Sequence, residues 1–272
     1  QSLTFAEVAS KARTLAARLQ QQAEPGAMAL ILHPSGLDYV ISLLGCFYAG
    51  IVAVPVNLSG AARVKRVLGK LEAIAEDCQP QMILTGRDIA QDSAEALQAF
   101  TAKFKLSCVL TDEETRFENL SYVAPDLTGA TLAFLQYTSG STGEPKGVIN
   151  RHANLLANLE FLTCLTLPDE ACVVASWLPL YHDMGLIMGI LSPLVYGNTA
   201  LYLPPVAFVQ DPLRRLELAS EYRATVLPCP NVALLRCHDA AERVPHRLIH
   251  IDLFFVKILV PSAEPVSTQQ MM

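Results

Sequence analysis

The sequence predicts an α/β fold: layered lobes in which helices cover mostly parallel sheets. Two observations carry this expectation. Short apolar runs alternate with amphipathic stretches of helical period along nearly the whole chain, the pattern of repeated strand–helix units. Of the 272 residues, 51% are hydrophobic and only 17% are charged, enough to bury such sheets on both faces.

In order, Thr4-Phe5-Ala6-Glu7 is a capping box that opens a helix to about Gln22, with Val8, Ala12, Leu15 and Leu19 on one face. A strand follows over Ala27–Leu32, a helix over Asp38–Ala49, a strand over Ile51–Val54 and a helix over Ala62–Glu76. Strands at Met82–Leu84 and Ser107–Leu110 flank a helix over Ser93–Lys103. The polar, Pro-containing stretch Arg116–Gly129 marks the boundary between a first lobe, 1–125, and a second, 126–272. That second lobe repeats the alternation, with strands at Thr131–Leu135, Gly147–Asn150, Cys172–Ser176, Thr199–Leu203, Ala224–Leu227 and Val256–Val260. Its helices run over His152–Leu165, over Gly185–Val195, and from the N-cap pair Asp211-Pro212 to about Tyr222. The uncharged stretch Tyr39–Asn57 is long enough for a membrane span, but Gly45, Gly50, Pro55 and the β-branched Ile51–Val54 make it a buried helix turning into a strand.

A net charge of −6 and pI near 5.5 argue against a nucleic-acid partner. Seven cysteines without a repeating spacing suit reduced thiols in the cytoplasm. No secretory leader is expected, because Thr4–Gln22 is polar-faced and charged.

One stretch carries the chemistry: Tyr137-Thr138-Ser139-Gly140-Ser141-Thr142-Gly143-Glu144-Pro145-Lys146-Gly147-Val148. It follows an apolar strand. Small residues let the backbone curl around an anion and present its N–H groups, hydroxyls add donors, and a lysine adds a positive point charge. A flexible Ser/Gly linker has the same composition but explains neither the strand before it nor the Pro-Lys-Gly-Val after it. The order Lys146-Gly147-Val148 lacks the Ser/Thr of a Walker A loop, and no G-x-G-x-x-G occurs, so this is a third kind of phosphate loop.

That run resembles the phosphate-binding signature of the adenylate-forming superfamily of acyl-CoA synthetases, luciferases and peptide-synthetase adenylation domains. Trp177-Leu178-Pro179-Leu180-Tyr181-His182-Asp183-Met184-Gly185-Leu186, Tyr222-Arg223-Ala224-Thr225 and Ala263-Glu264-Pro265-Val266 together resemble its fatty-acyl-AMP ligase branch. The resemblance implies the large N-terminal domain of such an enzyme, without roughly the second half of a family member. It implies that a fatty acid and ATP give acyl-adenylate and pyrophosphate, for transfer to an acyl carrier protein or a polyketide or peptide synthase module. Mg²⁺ is implied too, its protein ligand lying in the part not covered, and the chain alone is expected to be inactive. Thr138, Ser139, Gly140, Ser141, Thr142, Gly143 and Lys146 would hold phosphates, and Ser262, Ala263, Glu264 and Pro265 would lie along the adenine. His182 would sit near the acyl carboxylate and α-phosphate. With it, Met184, Asn231 and Trp177 would face the acyl group, although core packing explains Trp177 equally well. An acyl-CoA synthetase and a non-catalytic acyl- or nucleotide-binding module are the alternatives.

Two stretches depart from the family pattern: Pro261-Ser262, where Asn-Gly is usual, and Leu227-Pro228-Cys229-Pro230-Asn231, where paired glycines precede Pro-Asn. Cys229, Cys237, His238, His246 and His250 lack the spacing of a zinc knuckle, so no metal site is expected there. Asp183 is assigned a structural hydrogen bond, since an ionised fatty acid has no proton to lose.

Overall fold

The computed structural model describes residues 1–57, 64–113, 120–138, 145–166 and 172–260. The chain divides into two compact units, Gln1–Ala157 and Asn158–Met272.

The first unit opens on α1 (Phe5–Gln20), where the expected capping box is formed. Thr4 Oγ1 accepts from the Glu7 N–H at 3.2 Å, and the Glu7 carboxylate accepts from the Thr4 N–H at 2.7 Å. Then come β1 (Met28–Leu32), α2 (Leu37–Ala49), β2 (Val52–Pro55), α3 (Val64–Cys78), β3 (Met82–Thr85), α4 (Arg87–Asp92), α5 (Ala94–Phe104) and β4 (Ser107–Leu110). β5 (Leu132–Thr138) and β6 (Lys146–Arg151) follow, and the division between the units falls within the next helix, α6 (His152–Thr166). The sheet runs β4-β3-β1-β2-β5-β6, parallel except for the antiparallel pair β5–β6. Leu30, Leu32, Val54 and Ile83 from its strands meet Leu71 and Ile74 of α3 and Phe100 of α5 in one core. Strands covered on both faces read as unbroken apolar runs, which is why they were legible.

Gly50 explains the apolar stretch after Tyr39. At φ +72° it closes α2 in the left-handed conformation, its N–H reaching the carbonyls of Cys46 and Phe47, and the chain turns into β2. Among the described residues no helix is long and apolar enough to cross a membrane.

Sequence composition placed the lobe boundary at 125/126, whereas the units divide at Ala157/Asn158. The reason is strand pairing. Ala133, Phe134 and Leu135 are buried, and β5 takes its place beside β2 in the register Ala53↔Phe134, which draws the β5–β6 hairpin into the first sheet. The polar stretch before it is a connection within the first unit, and its residues 114–119 lie outside the described residues.

The second unit holds β7 (Val173–Ser176), α7 (Asp183–Leu186), a π-turn (Ile187–Leu191), α8 (Ser192–Tyr196), β8 (Thr199–Tyr202), α9 (Pro205–Gln210), α10 (Leu213–Glu221), β9 (Val226–Pro228), α11 (Asn231–Arg243), a 3₁₀ turn (Pro245–His250) and β10 (Ile258–Val260). Its sheet is parallel throughout, in the order β10-β9-β7-β8. The single helix expected over Gly185–Val195 is interrupted. Pro193 has no N–H for the carbonyl four residues back, that of Gly189. The backbone widens there, and the Tyr202 hydroxyl donates to that carbonyl at 2.9 Å. The helix expected from Asp211 begins at Leu213, and the Asp211 carboxylate takes a bidentate pair of bonds from Arg247, both 3.0 Å. α4, α9 and α11 have no counterpart among the helices expected from the sequence.

Thr4→Ala is expected to lower the stability of the first unit by about 1 kcal/mol. Urea unfolding followed by circular dichroism checks it, and an unchanged midpoint would contradict the capping role.

Candidate functional site

β5 and β6 form a hairpin whose two strand ends present the candidate residues. Thr138 lies directly opposite Lys146 and Tyr137 opposite Gly147. Side chains alternate along a strand, so Thr138 and Lys146 share one face of the hairpin mouth while Tyr137 and Gly147 share the other. Thr138 and Lys146 are both exposed, and a directly opposed pair brings their Cβ atoms to about 5 Å. A hydroxyl donor beside an ammonium group is suited to an anion. Ser139, Gly140, Ser141, Thr142 and Gly143 lie outside the described residues, as do Ser262, Ala263, Glu264 and Pro265.

The other candidates belong to the second unit. After β7 the chain makes a tight turn: the His182 N–H bonds to the Pro179 carbonyl at 3.0 Å, and the Leu186 N–H bonds to the His182 carbonyl at 2.8 Å. Gly185 permits it, since a Cβ there would lie 2.1 Å from the Pro179 oxygen. Asp183 Oδ1 accepts from the Met184 N–H at 2.6 Å and stands 2.5 Å from His182 Nδ1. A carboxylate has no proton to donate, so His182 Nδ1 carries the hydrogen and Nε2 is left for another partner. His182 and Asp183 are both largely exposed. This is the structural hydrogen bond expected of Asp183, and it also orients the ring.

Trp177 is buried and stacks on Phe208, ring centroids 3.8 Å apart. Met184 packs against that cluster, and Asn231, the first residue of α11, is fully buried. The sequence reading missed Arg215, which is 2% exposed. Its Nη1 donates to Cys229 Sγ at 2.9 Å and its Nη2 to the Pro228 carbonyl at 3.2 Å, so the segment that departs from the family pattern is backed by a buried guanidinium. The signal was present: Arg215 and Ala219 are four apart on the buried face of α10. Cys237 is buried in the Trp177 cluster while His238 faces Glu242 at the surface. Among the described residues no group of three or more His, Cys, Asp and Glu is placed to hold a metal ion.

A polar cluster in the first unit also escaped the sequence reading. The order β4-β3-β1-β2 means that the chain leaves β1 toward one side and returns as β3 on the other, the kind of switch point where α/β sheets bind ligands. His33, just past β1, is 2% exposed and bonds through Nε2 to the Thr111 hydroxyl at 3.0 Å. Burial pushes its pKa down to about 4, with Asp112 opposing. Arg18 donates to the Leu110 and Glu113 carbonyls. A cavity of about 500 Å³ nearby is lined by Lys11 and Arg18 but also by Asp38, Asp112 and Glu113. Three carboxylates against two cations make it unsuited to a triphosphate.

A family model described as AMP-binding enzyme matches residues 1–271. The chain is 35% identical over 266 residues to the medium-chain-fatty-acid–[acyl-carrier-protein] ligase JamA of Moorena producens, covering 97% of this chain and 45% of that protein. It is 37% identical over 275 residues to the long-chain-fatty-acid–AMP ligase FadD32 of Mycobacterium marinum, covering 99% of this chain and 43% of that one. The crystal structure of a fatty acyl-adenylate ligase from L. pneumophila, in complex with acyl adenylate and pyrophosphate, superposes with a TM-score of 0.85 at 32% identity over 100% of this chain and 46% of that one. The chain spans less than half the length of each.

Gly185→Ala is expected to destabilise the second unit by about 3 kcal/mol or more, because the clash is with backbone. Gly69→Ala, in α3 where a Cβ meets nothing within 4 Å, is expected to stabilise by about 0.5–1 kcal/mol; chemical denaturation of both variants checks the contrast. His33 sets a pH dependence. The unfolded imidazole binds a proton near pH 6.5 that the folded one refuses until about pH 4, so stability falls as pH drops across that window, by about 3 kcal/mol in all. His33→Gln is expected to flatten that part of the profile in urea titrations at pH 7, 6 and 5.

Proposed function

The chain belongs to the AMP-binding enzyme family, and from that membership we propose that it carries the ATP- and acid-binding portion of a ligase that activates fatty acids as acyl-adenylates. The observation that carries the proposal is the hairpin mouth, where Thr138 and Lys146 face each other across the ends of two strands. In the proposed reaction a fatty-acid carboxylate oxygen attacks the α-phosphorus of ATP. The bond from that phosphorus to the bridging oxygen breaks, and pyrophosphate leaves. No proton is moved.

Most of the barrier is electrostatic: two anions must be held together while charge grows on the phosphorus and the leaving oxygen. Lys146, the Thr138 hydroxyl and the donors of residues 139–143 take the β- and γ-phosphates. His182, its ring oriented by Asp183, is assigned the acyl carboxylate and α-phosphate. Trp177, Met184 and Asn231 line the acyl side, with Arg215 and Cys229 stiffening the wall behind Asn231. Ser262, Ala263, Glu264 and Pro265 lie against the adenine. Mg²⁺ is assigned no ligand in this chain.

An acyl carrier protein, or a synthase module bearing one, is the proposed acceptor. The carrier-protein ligase among the relatives supports that choice over CoA. Six described cysteines, all free, support a reducing, cytoplasmic setting.

In the whole protein that carries this chain, fatty-acid-driven ATP–pyrophosphate exchange is the expected activity. Lys146→Ala is expected to lower kcat/KM for ATP about 100-fold or more, a loss of about 2.7–4 kcal/mol of transition-state stabilisation, at an unchanged melting temperature. Unaltered ATP kinetics in that variant would overturn the assignment. With CoA and carrier protein offered separately, acyl transfer only to CoA would overturn the proposed acceptor.

A further inference from the structure

Tyr137 is the one aromatic side chain in the phosphate-loop motif, and the proposed chemistry does not use it. It lies on the face of the hairpin opposite Thr138 and Lys146. Its hydroxyl donates to Asp77 Oδ2 and also meets the thiol of Cys78. Asp77 and Cys78 are the last two residues of α3, which ends there as Gln79 adopts φ +48°. The ring packs against the core beneath α3 and covers Gly147 on β6: a Cβ at position 147 would stand 3.0 Å from the ring Cζ and 3.2 Å from the hydroxyl oxygen. A side chain at 147 would press on the ring, which would have to give by a few tenths of an ångström, and ring over glycine is a cross-strand pair in its own right.

The location matters more than the contact. The ladder between β5 and β2 is registered at Ala53↔Phe134, well short of the mouth, and β6 is the edge strand of the sheet. An edge hairpin extending past its neighbour is free to twist unless something holds its far end. A hydrogen bond from Tyr137 to a carboxylate at the end of α3 supplies that hold one residue before Thr138. Burial and the Asp77 bond both raise the Tyr137 phenol above its ordinary range, so it remains a donor at neutral pH. Burial likewise raises the Cys78 thiol to about 11.

We propose that Tyr137 and Asp77 are positioning residues for ATP: their hydrogen bond ties the hairpin mouth to the end of α3 and so presents Thr138 and Lys146 in one place. The inference rests on reading the hairpin as the phosphate loop. Neither residue touches the nucleotide. What they supply is order before ATP arrives, which otherwise has to be imposed at binding.

Tyr137→Phe separates the tether from the packing, since the ring still covers Gly147. Asp77→Asn keeps an acceptor oxygen and removes the charge, so it serves as the conservative partner. In the whole protein we expect Tyr137→Phe to raise KM for ATP about tenfold, with KM for the fatty acid unchanged and kcat within about threefold of the parent. Asp77→Asn is expected to raise KM for ATP by less, and Asp77→Ala to match Tyr137→Phe. The double variant Tyr137→Phe/Asp77→Ala is expected to be no worse than either single change, because both remove one interaction. Lys146→Ala, measured alongside, tells the two levels apart. If it leaves ATP kinetics untouched, the phosphate-loop reading fails. If it impairs them while Tyr137→Phe and Asp77→Ala leave KM for ATP at the parent value, only the positioning role fails. A lowered melting temperature with unchanged KM for ATP in Asp77→Ala likewise overturns the tether, whatever Tyr137→Phe does to folding.

Discussion

The pairing of β5 with both β2 and β6 is the constraint on which the candidate site depends. A run of Ser, Thr and Gly has no side chains with which to build a core, and its N–H groups and hydroxyls are useful to a phosphate only if they are already in place. Its order must be borrowed. β5 takes it from β2 on one side through a parallel ladder, hands it to β6 through an antiparallel one, and buries Ala133, Phe134 and Leu135 on the way. β5 thus shares a sheet with β1, β2 and β3, whose residues are almost all buried, the least deformable part of such a fold.

The second unit reaches a comparable result by different means. Its candidate histidine sits on a turn, and turns are ordinarily mobile. Here the turn is pinned by an absent side chain at Gly185, which lets the backbone come up against the Pro179 carbonyl, and by Asp183, which joins the backbone and the imidazole. Just beyond it, Pro193 opens the helix into a π-turn and Tyr202 takes up the carbonyl that is left over. The freed group is satisfied within the unit, so the irregularity persists without leaving a buried carbonyl unpaired.

Of the two departures read from the sequence, only Leu227–Asn231 lies among the described residues, and that segment is largely buried. Arg215 meets both Pro228 and Cys229, donating to the proline carbonyl and to the cysteine sulfur. A buried guanidinium with one sulfur and one carbonyl as its described partners is costly to hold, so the segment is specified tightly. That rigidity lies next to Asn231, on the side where the acyl group is proposed to bind.

Local sequence determined the strands of both sheets, most of the helices, the capping box at Thr4 and the Gly50 turn that converts an apparent span into a helix and a strand. Each depends on period, cap or backbone freedom within a few residues, and such signals survive without neighbours. The proposal that the loop takes a polyphosphate rests on the same kind of signal, residue type in a short run. Only the tertiary structure decided that β5 belongs to the first sheet, that Tyr137 reaches Asp77, that Arg215 turns inward onto Cys229, and that His33 is enclosed at the switch point. Those facts follow from which distant segments pack together, and a one-dimensional pattern does not encode a partner's identity when several edges would satisfy the same strand.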